Sequence, residues 1–216
     1  MKFEARSLRF SYGPREVLHG IDLDIPAGTV TTVCGANGSG KSTLLSLINA
    51  DNPQAYAHDI ELFGRPRGSG ETIWDIKRQI GFVSPELHRA FRMDAPALDI
   101  VTSGHFDTEG LFRRPTGEQR ESARRWMEEF GIGHLADRPF LRISSGEQRL
   151  CLVARAFVKD PALYILDEPL QGLDEPHRRH AKALLDRYCG APGKTLVMVT
   201  HYPEEYPGCI DHSLTL

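Results

Sequence analysis

Long apolar runs are missing from this chain of 216 residues: charge or glycine interrupts every candidate before the roughly 18 residues that a spanning helix needs. The opening residues, Met1-Lys2-Phe3-Glu4-Ala5-Arg6, lack the apolar segment of a secretory signal, so the chain is expected to be made and kept in the cytoplasm. Cysteine is scarce. Cys34, Cys151, Cys189 and Cys209 lie far apart, with no Cys-x-x-Cys pair and no histidine pair at zinc spacing. That excludes a zinc ribbon, and nothing points to an oxidising compartment; the expectation is reduced thiols that mostly pack, none of them a nucleophile. An excess of charge of one sign is also missing. The 26 Lys and Arg against 29 Asp and Glu leave a net charge of −3, which excludes a nucleic-acid binder of the strongly basic kind. Ordinary shares of charged (25%) and hydrophobic (40%) residues exclude the disordered and fibrous classes.

Strand and helix patterns alternate along the chain. Residues 3–10 and 21–25 alternate apolar with polar, as half-buried antiparallel strands do. Thr29 to Cys34 is a β-branched run suited to a buried strand, followed by a glycine-rich loop and a helix over 42–48. Residues 60–63, 80–83, 163–166 and 195–199 are further strands separated by helical stretches, which predicts a parallel α/β sheet. From Gly104 to Arg149 the texture changes: eight acids and eight arginines, few strand formers, and an amphipathic helix over 119–130 with Trp126, Met127 and Phe130 on its apolar side. Residues 85–150 therefore read as a helical subdomain inserted into the α/β core, with a solvated or protein-docking surface.

Gly35-Ala36-Asn37-Gly38-Ser39-Gly40-Lys41-Ser42 satisfies G-x-x-x-x-G-K-[ST] between a strand and a helix. Glycines let backbone N–H groups converge on phosphate oxygens, Lys41 adds charge beside the helix N-terminus, and the Ser42 hydroxyl suits Mg²⁺. A loop without a ligand is the bland alternative, and the strand–loop–helix context disfavours it. Downstream, the apolar run 163–166 ends in Asp167 and Glu168. Buried charge is expensive, so carboxylates there are expected to serve chemistry, Asp167 toward the metal and Glu168 toward an attacking water.

These motifs, with four more, resemble the ATP-binding subunit of ABC transporters. Ile143-Ser144-Ser145-Gly146-Glu147-Gln148-Arg149 is similar to the family signature, Leu170-Gln171-Gly172-Leu173-Asp174 to the D-loop, His201 after Thr200 to the switch histidine, and Tyr12 to the aromatic that stacks on adenine. The stretches Leu62-Phe63-Gly64-Arg65, Arg67 to Lys77, Glu168 to Asp174 and Cys209-Ile210-Asp211-His212 further resemble one half of the tandem ATP-binding proteins of molybdate-transport loci. The resemblance implies a P-loop NTPase core of the ABC ATPase type, α/β, with a small antiparallel β subdomain and an inserted helical subdomain. Residues 1–216 then form one domain, in which 1–84 and 151–216 are the core and 85–150 the helical part.

The resemblance also implies ATP and Mg²⁺ as cofactors, with Tyr12, Asn37, Gly38, Ser39, Gly40, Lys41, Ser42 and Thr43 at one nucleotide. Ser144, Gly146, Glu147 and Asp174 would meet the nucleotide of a second copy in a head-to-tail dimer. Glu168, His201 and Lys41 would carry hydrolysis, and Ser42 and Asp167 the metal. A separate transmembrane permease is the implied partner, the location the cytoplasmic face of the membrane, and no nucleic acid is expected. A soluble non-transport ABC ATPase and a nucleotide-sensing module are the alternatives. Two departures stand out. Pro85 occupies the position of the family's glutamine after the Ile-Gly-Phe-Val strand, and Ser145 and Glu147 replace a signature glycine and glutamine. Glu86 either takes the glutamine's place at the metal or, if Pro85 turns the chain away, is a solvated loop acid. The resemblance further leads us to expect no regulatory extension after the last strand.

Overall fold

Apolar–polar alternation sends the N-terminal part into antiparallel strands, with one phase change that the alternation conceals. β1 (Phe3–Tyr12) and β2 (Arg15–Ile25) form a hairpin around Gly13-Pro14. Phe3 and Ala5 face inward, and then the inward set jumps to Leu8 and Phe10. A bulge accommodates the extra residue: Ser7 takes φ 47°, and its N–H donates to Asp22 Oδ1 at 2.7 Å. The computed structural model describes residues 3–189, 191–208 and 210–216. Cys209 and the side chain of Cys189 lie outside the described residues; Cys34 is half-buried and free, and Cys151 is buried with its thiol pushed up to about 12.

β3 (Val30–Cys34) is followed by α1 (Lys41–Ile48), β4 (Ile60–Leu62) and β5 (Arg65–Pro66). The antiparallel sheet has the order β2-β1-β4-β5. Phe63, expected at the end of a strand, instead turns the chain at φ 53° just before Gly64. Then come α2 (Ile73–Lys77), β6 (Ile80–Val83), α3 (Pro85–Ala90), α4 (Ala97–Thr102), α5 (Gly117–Glu129) and α6 (Ser145–Phe157). α5 starts where a reciprocal cap holds it: Thr116 accepts from Gln119 N–H, and Gln119 accepts from Thr116 N–H. α6 runs unbroken across residue 150.

β7 (Leu163–Asp167), α7 (Glu175–Cys189), β8 (Thr195–Val199) and β9 (His212–Thr215) complete the chain. The second sheet is wholly parallel, in the order β6-β7-β8-β3-β9. Every residue of β7 and β8 is buried, as expected of central strands covered on both faces. Their alternation feeds two layers. Leu163 and Ile165 join Leu44, Ile48 and Phe3 on one face, and Tyr164 and Leu166 join Met127, Leu150 and Phe157 on the other. The carboxyl ends of β3, β6, β7 and β8 therefore open on one edge, where the loop 35–40, Ser84-Pro85, Glu168 and His201 follow them. Among the described residues no helix is long and apolar enough to cross a membrane.

Phe157 is the hinge pin of the second layer, within 4.9 Å of Trp126, 5.5 Å of Phe130 and 4.5 Å of Tyr164 between ring centres. Phe157→Ala should cost about 3–5 kcal/mol in urea denaturation, because a fully buried ring leaves a cavity; a loss below about 1 kcal/mol would contradict this packing.

Candidate functional site

The loop after β3 can fold only with glycine at particular positions. A Cβ on Gly40 would lie 2.7 Å from Leu18 Cδ2, and its φ of 101° is left-handed; a Cβ on Gly35 would lie 2.6 Å from Ser39 Oγ and 2.8 Å from Leu216 O. Ser39 N–H donates to Ala36 O at 3.2 Å, which closes the loop on itself. Lys41 is buried at the first position of α1, and its ammonium donates to Gly35 O and Ala36 O, both at 2.8 Å. α1 carries no acid in its first turn, so its N-terminal partial charge is left for an anion.

Across the cleft, Ser42 Oγ donates to Asp167 Oδ2 at 3.2 Å. Asp167 is 4% exposed, and burial holds its carboxyl above the usual range, against the Ser42 hydrogen bond, which lowers it. Glu168 is 5% exposed; burial raises it too, while His201 works in the opposite direction. His201 Nε2 stands 3.4 Å from Glu168 Oε1, too far for a good hydrogen bond, and neither carboxylate oxygen of Glu168 has a hydrogen-bond partner among the described residues. Glu168 also sits at φ 50°, strained for a residue with a Cβ, held by its N–H to Val199 O at 2.9 Å.

One cleft of about 580 Å³ brings together Tyr12, Asn37, Gly38, Gly40, Lys41, Ser42, Thr43, Asp167, Glu168 and His201. Tyr12 is 58% exposed, its ring edge-on to Phe10 at 4.8 Å, so a flat face is open to a heterocycle. The donor set suits a small hard cation: a hydroxyl and a carboxylate in contact, with a second carboxylate beside them. Among the described residues no group of three or more His, Cys, Asp or Glu could hold an ion alone, so phosphate oxygens and water would complete its shell.

Other expected site residues stand elsewhere. Ser39 turns its hydroxyl inward. Ser144 is exposed at the start of α6, where it and Glu147 form a reciprocal cap, and the Ser144 hydroxyl keeps the Glu147 carboxyl below its usual range. Gly146 packs 3.1 Å (from its would-be Cβ) from Gly172 O. Asp174 caps α7, accepting from His177 N–H at 2.9 Å, and lines a separate cleft with Arg178 and Glu205. Glu86 lies in a groove that shares Ser42 and Asp167 with the main cleft, and there its carboxylate pairs with Arg89 at 2.8 Å. It is Pro85 that lines the main cleft.

Three residues escaped the sequence reading. Arg15 and Val17, at the start of β2, line the main cleft. Arg15 follows Tyr12 closely across the hairpin turn, and a cation so near a candidate stacking ring was the available signal. Arg149 is 5% exposed, its Nε and Nη1 have no hydrogen-bond partner among the described residues, and its charge acts on Asp167, Glu168 and Glu86. An arginine placed among the apolar residues of α6 was the hint.

The protein-family profile described as "ABC transporter" matches residues 18–171. The ABC transporter ATP-binding protein ModF of Escherichia coli (strain K12) is 43% identical over 205 residues, 94% of this chain and 42% of that protein. The zinc transport system ATP-binding protein TroB of Treponema pallidum is 34% identical over 194 residues, 90% of this chain and 70% of that protein. In structure, the chain is similar to the ATP-binding cassette MJ0796, solved as a dimer in a post-hydrolysis state bound to ADP and Pi. The TM-score is 0.80 at 23% identity, over 94% of this chain and 89% of that one. The chain spans about two fifths of the first curated relatives it matches, 42% and 41%.

The raised carboxylates give the site a pH signature. A carboxyl raised in the folded state favours folding most below its unfolded value, and loses that advantage as pH rises through the folded one. Glu168→Gln removes the charge that is costly at neutral pH. Its urea midpoint should exceed that of the parent at pH 7.5, with the gain shrinking toward pH 4; an equal midpoint at both pH values would contradict the burial assigned to Glu168.

Proposed function

The chain belongs to the ABC transporter family, and from that membership we propose that it binds and hydrolyses ATP to power a transporter through head-to-tail pairing of two copies. One observation carries the reading. A single copy gathers Lys41, Ser42, Asp167, Glu168 and His201 in one cleft, whereas Ser144, Gly146 and Asp174 do not line it, and Asp174 lines a separate one. A second copy turned head to tail would close the cleft with those residues.

In this reading Tyr12 stacks on adenine, the loop 37–43 and α1 hold the phosphates, and Lys41 neutralises their charge. Ser42 and Asp167 hold Mg²⁺, which supplies charge neutralisation at the transferring phosphate. Glu168 accepts the proton of the attacking water; its raised carboxyl and unpartnered oxygens suit a base that must take up a proton. His201, beside it, orients the phosphate. Glu86 stays open between two roles, and breaking its pair with Arg89 would be required before it could turn to the metal. We assign the chain to the cytoplasmic face of a membrane, docked on a separate permease. A second reading, a nucleotide-sensing module with little turnover, is favoured by Pro85, which presents no side-chain donor or acceptor to the cleft.

Lys41→Ala should abolish Mg²⁺-dependent ATP binding in calorimetry, and undiminished affinity would remove the site assignment. Glu168→Gln should bind ATP normally while hydrolysis falls roughly 10²–10⁴-fold. A parent rate already as low as the variant's would favour the sensing module. For Glu86→Ala, a lower kcat at unchanged ATP affinity is the expected result if the residue acts in the closed state; a parental rate makes it a solvated acid.

A further inference from the structure

The segment that follows β6 is tied directly to the segment that begins α6. Ser84 starts α3 by accepting from Leu87 N–H at 3.0 Å, and Pro85 in its first turn lines the main cleft. One turn further on, His88 Nε2 lies 2.9 Å from Gln148 Oε1. The Gln148 amide nitrogen in turn donates to Phe140 O at 3.0 Å and Ile143 O at 3.2 Å. Both hydrogens of that amide are used on carbonyls, so its oxygen is an acceptor and His88 must be the donor. That places a proton on Nε2 of the imidazole. Burial lowers the His88 pKa, which keeps the ring neutral and the single proton where Gln148 needs it. The Phe140 ring meets the imidazole edge-on, 6.4 Å between centres, and restricts its rotation. Ile143, whose carbonyl Gln148 holds, immediately precedes Ser144, the cap of α6.

We propose that His88 is a positioning residue: through Gln148 it holds the turn that presents Ser144, Gly146 and Glu147 in register with the helix that borders the phosphate cleft. The inference rests on the reading above, in which that turn closes on the nucleotide of a second copy. A shift of α3 at the cleft is then transmitted to the turn by two consecutive side-chain hydrogen-bond steps. Position in the closed state is what the contact governs, so turnover should suffer while the first binding of ATP does not.

The test compares His88→Gln, His88→Asn and His88→Leu in the full chain. A glutamine places an N–H donor close to where Nε2 stands, an asparagine close to where Nδ1 stands, and leucine places none. His88→Leu and His88→Asn should lower kcat by about 3–10-fold, the worth of one neutral hydrogen bond, with KM for ATP unchanged. His88→Gln should restore kcat to within about twofold of the parent. Amide hydrogen exchange over residues 144–148 should quicken in the leucine and asparagine variants and not in the glutamine variant. A parental kcat in His88→Leu, or rescue by asparagine equal to that by glutamine, overturns the proposal. Should the leucine variant fail to fold, the asparagine–glutamine difference decides alone. A parent chain without turnover overturns the ATPase reading instead, and hydrogen exchange then decides: unchanged exchange in all three variants overturns the role of His88.

Discussion

Two carboxylates stand desolvated at the carboxyl end of β7, and among the described residues no set of side chains satisfies both. Asp167 has one hydroxyl partner in Ser42, and Glu168 has none within hydrogen-bond geometry. Glu168 is also held in a left-handed conformation. Such a residue persists only when its surroundings over-determine it. Here the surroundings are the fully buried strands β7 and β8, fed from both faces, and the Val199 carbonyl that fixes the Glu168 N–H. Lys41 and Arg149 supply opposing charge nearby, yet burial still raises both acids. The strain is thus stored in a scaffold rigid enough to keep it, next to a loop whose backbone and lysine are arranged for an anion. A metal ion with phosphate is the chemistry that would satisfy both sides at once.

The helical part matters to this site through α6. Its N-terminal cap leaves Ser144 exposed and Glu147 half-buried, and its buried length carries Arg149 toward the two acids and Phe157 into the aromatic cluster. One helix therefore connects the core beneath β7 to a surface that a second copy would meet. Gly146, in the first turn of α6, abuts Gly172 in the loop after β7, so the two segments are in close contact. The main cleft and the outward-facing turn are separate places in one copy, and they are mechanically related through its core.

Much of this could be read from residue order alone, because strong local constraints leave their mark on sequence. The glycine-rich loop demands glycine where a Cβ would strike Leu18 or Ser39, and the apolar run ending at Asp167 and Glu168 betrays carboxylates that packing alone would not place there. What stayed hidden depends on contacts distant in sequence or on a single added residue. The bulge at Ser7 shifts the inward face of β1 without altering its composition. β9 pairs with β3 through mostly exposed residues, with Leu214 as the one apolar side chain that packs on the core, too little to make an apolar pattern. Arg15 reaches the cleft only because the hairpin folds over the loop, and the bond between His88 and Gln148 joins residues 60 apart. The direction of Glu86 belongs to the same class: Ser84 and Pro85 start a helix, which carries Glu86 to Arg89 and toward the neighbouring groove.

A cleft that is chemically complete on one side and open on the other makes the composite site the central claim. Multi-angle light scattering of the Glu168→Gln chain, with and without saturating Mg²⁺ and ATP, tests it most directly. If Glu168 is the proposed base, its replacement would leave the phosphate charge in place to bridge two surfaces, so the account predicts a shift from monomer mass to twice that mass on addition of nucleotide, reversed by chelating the metal. Monomer mass with ATP demonstrably bound would contradict it.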